Sequence, residues 1–147
     1  MNFSFDATPP KGTTQSEFER LKRALVDLLD RESKKILEDI RASMRAPKSG
    51  RRYYGPRGSY IASAPGESPA VKSGKLIGSL RARKSRGGLR VRIAAEVGYG
   101  KLLEYGTPQG MIAPRPFMGP AKNAATPRIE KGIQSILSNI RRRPRPV

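Results

Sequence analysis

The apolar positions of this chain form two stripes of helical period, separated by a stretch that alternates every second residue. Phe18, Leu21, Leu25, Leu28, Leu29, Ile36, Leu37, Ile40 and Met44 recur mostly at three- and four-residue spacing, the repeat that lines one face of an α-helix. Ser16 and Glu19 stand in the order of a capping box, the hydroxyl accepting from the Glu19 amide and the carboxylate reaching back to the Ser16 amide. The pattern predicts one helix ending before Pro47, about 28 residues and about 42 Å long. Arg31, Glu32, Lys34 and Lys35 interrupt its apolar stripe, so part of this helix is expected to project or to pack on another subunit.

From Leu80 the period becomes two. Leu89, Val91, Ile93, Ala95 and Val97 share one face while Arg90, Arg92 and Glu96 point away, and Leu80-Arg81-Ala82-Arg83 supplies a partner strand. Gly87-Gly88 between them offers the positive-φ positions of a tight hairpin. Arginines at 81, 83, 90 and 92 on the outer face guard the edge against self-pairing, or bind a polyanion. Lys101 to Tyr105 reads as a short helical turn stopped by Gly106-Thr107-Pro108. Prolines 114, 116 and 120 keep residues 111–120 irregular. A helix recovers near Pro120, is kinked or divided by Pro127, and continues through Ile129, Ile133, Ile136, Leu137 and Ile140.

The rest of the chain is punctuation. Residues 1–15, with paired prolines and small polar side chains, read as an N-terminal arm. Residues 46–75 read as a long irregular loop inside a single domain spanning 16–140, and 141–147 as a basic C-terminal arm. Within the loop, Tyr53, Tyr54 and Tyr60 lie among Arg51, Arg52 and Arg57. Such a mixture anchors protein interfaces more often than it stacks on nucleic-acid bases.

Charge sharpens this picture. The 147 residues hold 30 Lys and Arg against 12 Asp and Glu, a formal net charge of +18. Residues 1–45 are nearly balanced, with 9 basic and 8 acidic side chains, whereas 46–147 carry 21 basic and 4 acidic ones. A surface of that kind repels its own copies and attracts polyanions or acidic protein faces. The chain has no His, Cys or Trp, which excludes disulfides, thiol chemistry, zinc fingers and His-based triads. Its few central carboxylates, Glu67, Glu96 and Glu104, are scattered over different elements, so neither paired-acid hydrolysis nor a magnesium site is expected. No catalytic, cofactor-binding or metal residue is assigned, and enzymatic activity is not expected. No apolar run approaches a membrane span, and residues 1–15 lack the pattern of a signal peptide.

Two separated segments carry a resemblance. Ala62-Ser63-Ala64-Pro65-Gly66-Glu67-Ser68-Pro69-Ala70-Val71-Lys72-Ser73-Gly74-Lys75-Leu76 is followed by Ser79-Leu80. Tyr99-Gly100-Lys101-Leu102-Leu103-Glu104-Tyr105-Gly106-Thr107 is followed by Ala113-Pro114-Arg115-Pro116-Phe117 and Gly119-Pro120-Ala121. In order and spacing this resembles the tail-completion, or head–tail joining, family of long-tailed bacteriophages, over residues 62–140. Gly100, where that family usually has Ala, the inserted Pro108-Gln109-Gly110, and Pro127 depart from its pattern.

The resemblance implies an α+β protomer with a long N-terminal helix, an antiparallel sheet of three or four strands including a hairpin, and a C-terminal helix on the sheet. It implies a virion protein of the neck or upper tail, assembled in the host cytoplasm. Six copies would form a ring around the channel through which genomic DNA leaves. Its neighbours would be the connector or stopper below the portal and the tail terminator or tube, with no membrane partner. The expected contact residues are Tyr53, Tyr54, Tyr60, Arg81, Arg83, Arg90, Arg92, Arg115 and Phe117. A structural latch is expected from Glu104, Gly106, Thr107 and Arg115, the Glu104 carboxylate accepting from the turn's amides or from Arg115. Most arginines are expected to face acidic protein, since a passage that releases DNA should not grip it. The competing expectation is a nucleic-acid-binding protein that uses the basic hairpin and the Tyr/Arg loop.

Overall fold

The computed structural model describes residues 1–5, 8–9 and 11–142, and the chain is α+β. The elements run β1 (Asn2–Ser4), α1 (Gln15–Arg45), β2 (Arg52–Gly55), β3 (Gly58–Ile61), α2 (Lys75–Gly78), β4 (Leu80–Lys84), β5 (Arg90–Ala95), α3 (Gly100–Tyr105) and α4 (Met118–Arg142). One antiparallel sheet has the order β1-β5-β4, and β2 with β3 forms a separate two-stranded ribbon.

The first helix begins earlier than its capping-box sequence suggests. Thr14, not Ser16, is the N-cap: its hydroxyl accepts from the Glu17 amide and the Glu17 carboxylate accepts from the Thr14 amide. Ser16 and Glu19 also fit the motif in sequence, but the chain is already helical from Gln15. The interrupted stripe nevertheless buries Leu25, Leu28, Leu29, Ile36, Ile40 and Met44, with the small Ser33 filling the polar break. Ser33 closes its own hydrogen bond onto the Asp30 carbonyl, so it costs no unsatisfied polar group.

Helix α1 lies between α4 and the sheet. Leu80 on β4, Val91 and Ile93 on β5, and Phe117, Ala121, Ala125 and Ile129 at α4 complete one core. Small residues let the two helices approach closely: a Cβ on Gly132 would stand 2.6 Å from a Leu28 methyl. Arg128 of α4 bridges Glu32 at 3.0 Å and Asp39 at 3.3 Å on α1. Pro127 does not divide α4, which is helical from Met118 to Arg142. The helix also starts two residues before Pro120 and reaches into the expected C-terminal arm, whose residues 143–147 lie outside the described ones.

Three loop expectations change. The N-terminal arm is partly a strand, β1, pairing Phe3 with Val91 and flanked by Phe5 N–H to Leu89 C=O at 2.9 Å. The 46–75 loop contains the β2–β3 hairpin, turned by Pro56-Arg57. Of the Gly87-Gly88 pair only Gly88 has positive φ, +72°, and the β4–β5 connection is a longer loop closed by Ser85 N–H to Arg90 C=O.

Candidate functional site

Glu104 sits on the inner side of α3 and is the one buried carboxylate among the described residues. Its Oε2 accepts from the amides of Phe117 at 2.8 Å and Met118 at 2.9 Å, and its Oε1 accepts from Gly119 at 2.8 Å. These are the opening amides of α4, whose first turn carries no acid of its own. A helix start leaves such donors unpaired and places partial positive charge there. Glu104 therefore caps α4 from another element. The expected latch thus has different partners: neither Arg115 nor the Gly106 and Thr107 amides bond to Glu104.

Those residues fasten the same region in other ways. The Arg115 Nε donates to the Ser63 carbonyl at 3.2 Å and its Nη1 to the Ala113 carbonyl at 3.3 Å. Its amide donates to Leu103 C=O at 2.7 Å. Thr107 closes the inserted loop, donating its N–H to Ile112 C=O and accepting from the Ile112 N–H at its hydroxyl. Gly106 turns at φ +74°, ψ −175°, a region only glycine occupies comfortably. Gly66 N–H donates to Pro114 C=O at 2.9 Å, tying the 62–76 segment to the proline run. Phe117 is buried at 2% exposure, directly after those prolines. It is a core anchor and is not available to a partner.

The tyrosines occupy the hairpin. Tyr53 and Tyr60 are direct cross-strand partners with rings stacked 5.4 Å apart. Arg51 lies over the Tyr53 ring at 5.5 Å and Lys72 over the Tyr60 ring at 5.1 Å. Two of the three rings are thus engaged within the chain, leaving Tyr54, 82% exposed, as the free one. The hairpin signal was the Gly-Pro-Arg-Gly step between Tyr54 and Ser59, a turn sequence flanked by aromatic residues.

A staple closes the ribbon's base, and no local pattern announces it. Glu67 accepts from the Ser49 hydroxyl at 2.6 Å, the Ala64 amide at 2.9 Å and the Ser49 amide at 3.2 Å. These bonds, the Ser49 hydroxyl first, hold its carboxyl below the usual carboxylate range. Only a fold that brings residue 49 to residue 64 makes this legible.

Arg81, Arg83, Arg90 and Arg92 share the outer, exposed face of the sheet, with Arg83 directly opposite Arg92. Arg83 pairs with Glu96. Arg81 folds onto the carbonyls of Gly78 and Leu80. Arg90 and Arg92 make no ion pair among the described residues. A second exposed surface is apolar: Tyr99, Leu102 and Tyr105 along α3, with Met111 82% exposed in the loop beyond. An open groove of about 300 Å³ lies between the hairpin base and α3, lined by Tyr60, Val71, Lys72, Tyr99, Leu103 and Arg115 among others. Among the described residues no group of three or more acidic, His or Cys side chains gathers as a metal site, and no helix is long and apolar enough to cross a membrane. Comparison of the chain with protein-family models, with curated proteins and with solved structures gives no match.

Proposed function

We propose that this chain is a structural virion subunit of a phage neck or upper tail, forming a ring that completes or joins the tail around the DNA channel. The observation that carries the proposal is the β2–β3 ribbon. Every residue of β2 is exposed, and a two-stranded ribbon without a core of its own is marginal in water. An element of this kind, tipped by a free tyrosine and flanked by the apolar α3 face, is suited to burial against a neighbouring copy or layer.

The segments that carry the family resemblance also support the reading. Residues 62–76, 99–107 and 113–121 are knitted together by Gly66 to Pro114, Arg115 to Ser63 and Leu103, and Glu104 to the start of α4. They form one mechanical unit at the base of the exposed surfaces. In this role the protein does no bond chemistry. Its work is the burial of complementary surface, with arginines meeting acidic protein faces and a minority near the lumen.

Negative-stain imaging of the purified chain, with sedimentation velocity on the same sample, tests the proposal. Closed rings of defined symmetry are the expected result. A monomer persisting at about 100 µM, well above the concentration that micromolar contacts need, overturns it. A salt titration with DNA separates the competing reading: submicromolar affinity with a steep salt slope, retained near physiological salt, would make the chain a nucleic-acid binder instead.

A further inference from the structure

Register fixes which side of β4 is free. Ser85 donates its N–H to Arg90 C=O at 2.9 Å and Glu96 donates to Ser79 C=O at 3.1 Å. Odd-numbered residues from 79 to 85 therefore bond toward β5, because ladder bonds alternate along an antiparallel pair. The N–H and C=O groups of Leu80, Ala82 and Lys84 point the other way. The sheet ends at β4, so these groups meet no further strand. The Leu80 carbonyl is taken by Arg81 Nη1 at 3.0 Å, while those of Ala82 and Lys84 have no bonded partner among the described residues.

Above this edge the cations form steps. Arg81 comes first, then Arg83 beside Arg92, then Arg90, successive steps being about 6.8 Å apart because alternate strand residues share a face. An added strand presents its own alternate side chains at the same interval. Acidic side chains at those positions would draw Arg81 off the Gly78 and Leu80 carbonyls and share Arg83 with Glu96. Arg92, without an ion pair among the described residues, stands behind them, while the intervening apolar side chains would extend the layer of Leu80 and Ala82. A second copy's sheet is a poor occupant, since its β4 and β5 carry the same cations and like charges would face each other. Duplex DNA can use the cations but cannot donate to the Ala82 and Lys84 carbonyls as a backbone strand does.

We propose that the free edge of β4 docks an extended acidic segment of a neighbouring protein, added antiparallel or parallel as a fourth strand. This deepens the reading above and rests on it for the existence of such a neighbour. The probe is a fluorescein-labelled peptide of alternating Glu and Val, compared with the same peptide methylated at every backbone nitrogen. Fluorescence anisotropy on the full chain should show at least about tenfold weaker binding of the methylated form. Hydrogen exchange should show new protection at the Ala82 and Lys84 amides in the presence of the unmethylated one.

Ala82→Pro removes only an outward-facing N–H, the kind of position where edge strands tolerate proline, and should lose binding by a similar factor. If that variant fails to fold, the two peptides decide alone. Equal binding of both peptides, absence of binding at about 1 mM, or tighter binding of a short DNA duplex in competition each overturns the proposal. Imaging of the same sample keeps the two readings apart: rings without peptide selectivity sink the strand proposal alone, and a monomer that still adds the peptide sinks the ring reading alone.

Discussion

Glu104→Gln is the most informative single change. The carboxylate serves three backbone donors, two on Oε2 and one on Oε1. The amide keeps one acceptor oxygen and puts an NH₂ where the other oxygen was. In its better orientation the oxygen stays on Phe117 and Met118, and the NH₂ faces the Gly119 N–H, donor against donor. A buried amide left without an acceptor costs about 1–3 kcal/mol. Losing the negative charge at the start of a long helix adds about 0.5–2 kcal/mol, and the two surviving bonds weaken as they cease to be charge-assisted.

The sum is about 3 kcal/mol, which for a chain of this length lowers Tm by about 10 °C. Urea unfolding followed by circular dichroism, at one fixed protomer concentration because assembly shifts apparent stability, measures it. Arg115→Gln is the control, expected to cost about 1 kcal/mol because that half-buried side chain serves two carbonyls and not the carboxylate. Glu104→Gln within about 0.5 kcal/mol of the parent chain, or an equal loss in the two variants, would refute the capping argument.

Three further outcomes follow from the same structure. Gly106→Ala should destabilise by about 2–4 kcal/mol, because φ is +74° and the new Cβ would stand 2.6 Å from the Ile112 carbonyl oxygen; a melt unchanged from the parent would disprove it. Tyr53→Ala should remove about 1–2 kcal/mol of stacking and cation–π attraction from the ribbon alone, so hydrogen exchange at the β2 and β3 amides should quicken while the global Tm holds. Because the Glu67 carboxyl is held below its ordinary value by Ser49 and Ala64, its contribution is present above the ordinary carboxylate range and is lost as pH falls through the lowered value; Glu67→Gln should flatten the acid limb of the stability curve, and an unaltered limb would count against the staple.

The two helical stripes and the alternating strand were legible in the sequence because their periods report burial directly. Leu25, Leu28, Leu29, Ile36, Ile40, Met44, Val91 and Ile93 are buried where the pattern places them. Phe117, expected among the contact residues, is buried in the core instead, because local spacing does not say whether an apolar side chain meets its own chain or a neighbour. Other parts depend on who meets whom across the chain. Thr14 and Ser16 both satisfy the capping pattern locally, and only the observed entry of the chain into the helix selects Thr14.

Glu104 was legible as a latch, but its partners were not. The Gly106 turn is adjacent in sequence, whereas the Phe117, Met118 and Gly119 amides reach the carboxylate only after the proline run folds back. β1 is invisible because three residues carry no period, and it exists through its ladder with β5. Sequence thus determined the buried stripes of the helices and of β5 and the distribution of charge, since those are properties of single side chains and short spacings. Tertiary structure decided the hydrogen-bond partners, the stacked tyrosines and the open edge of β4, since these are relations between distant segments that no local pattern encodes.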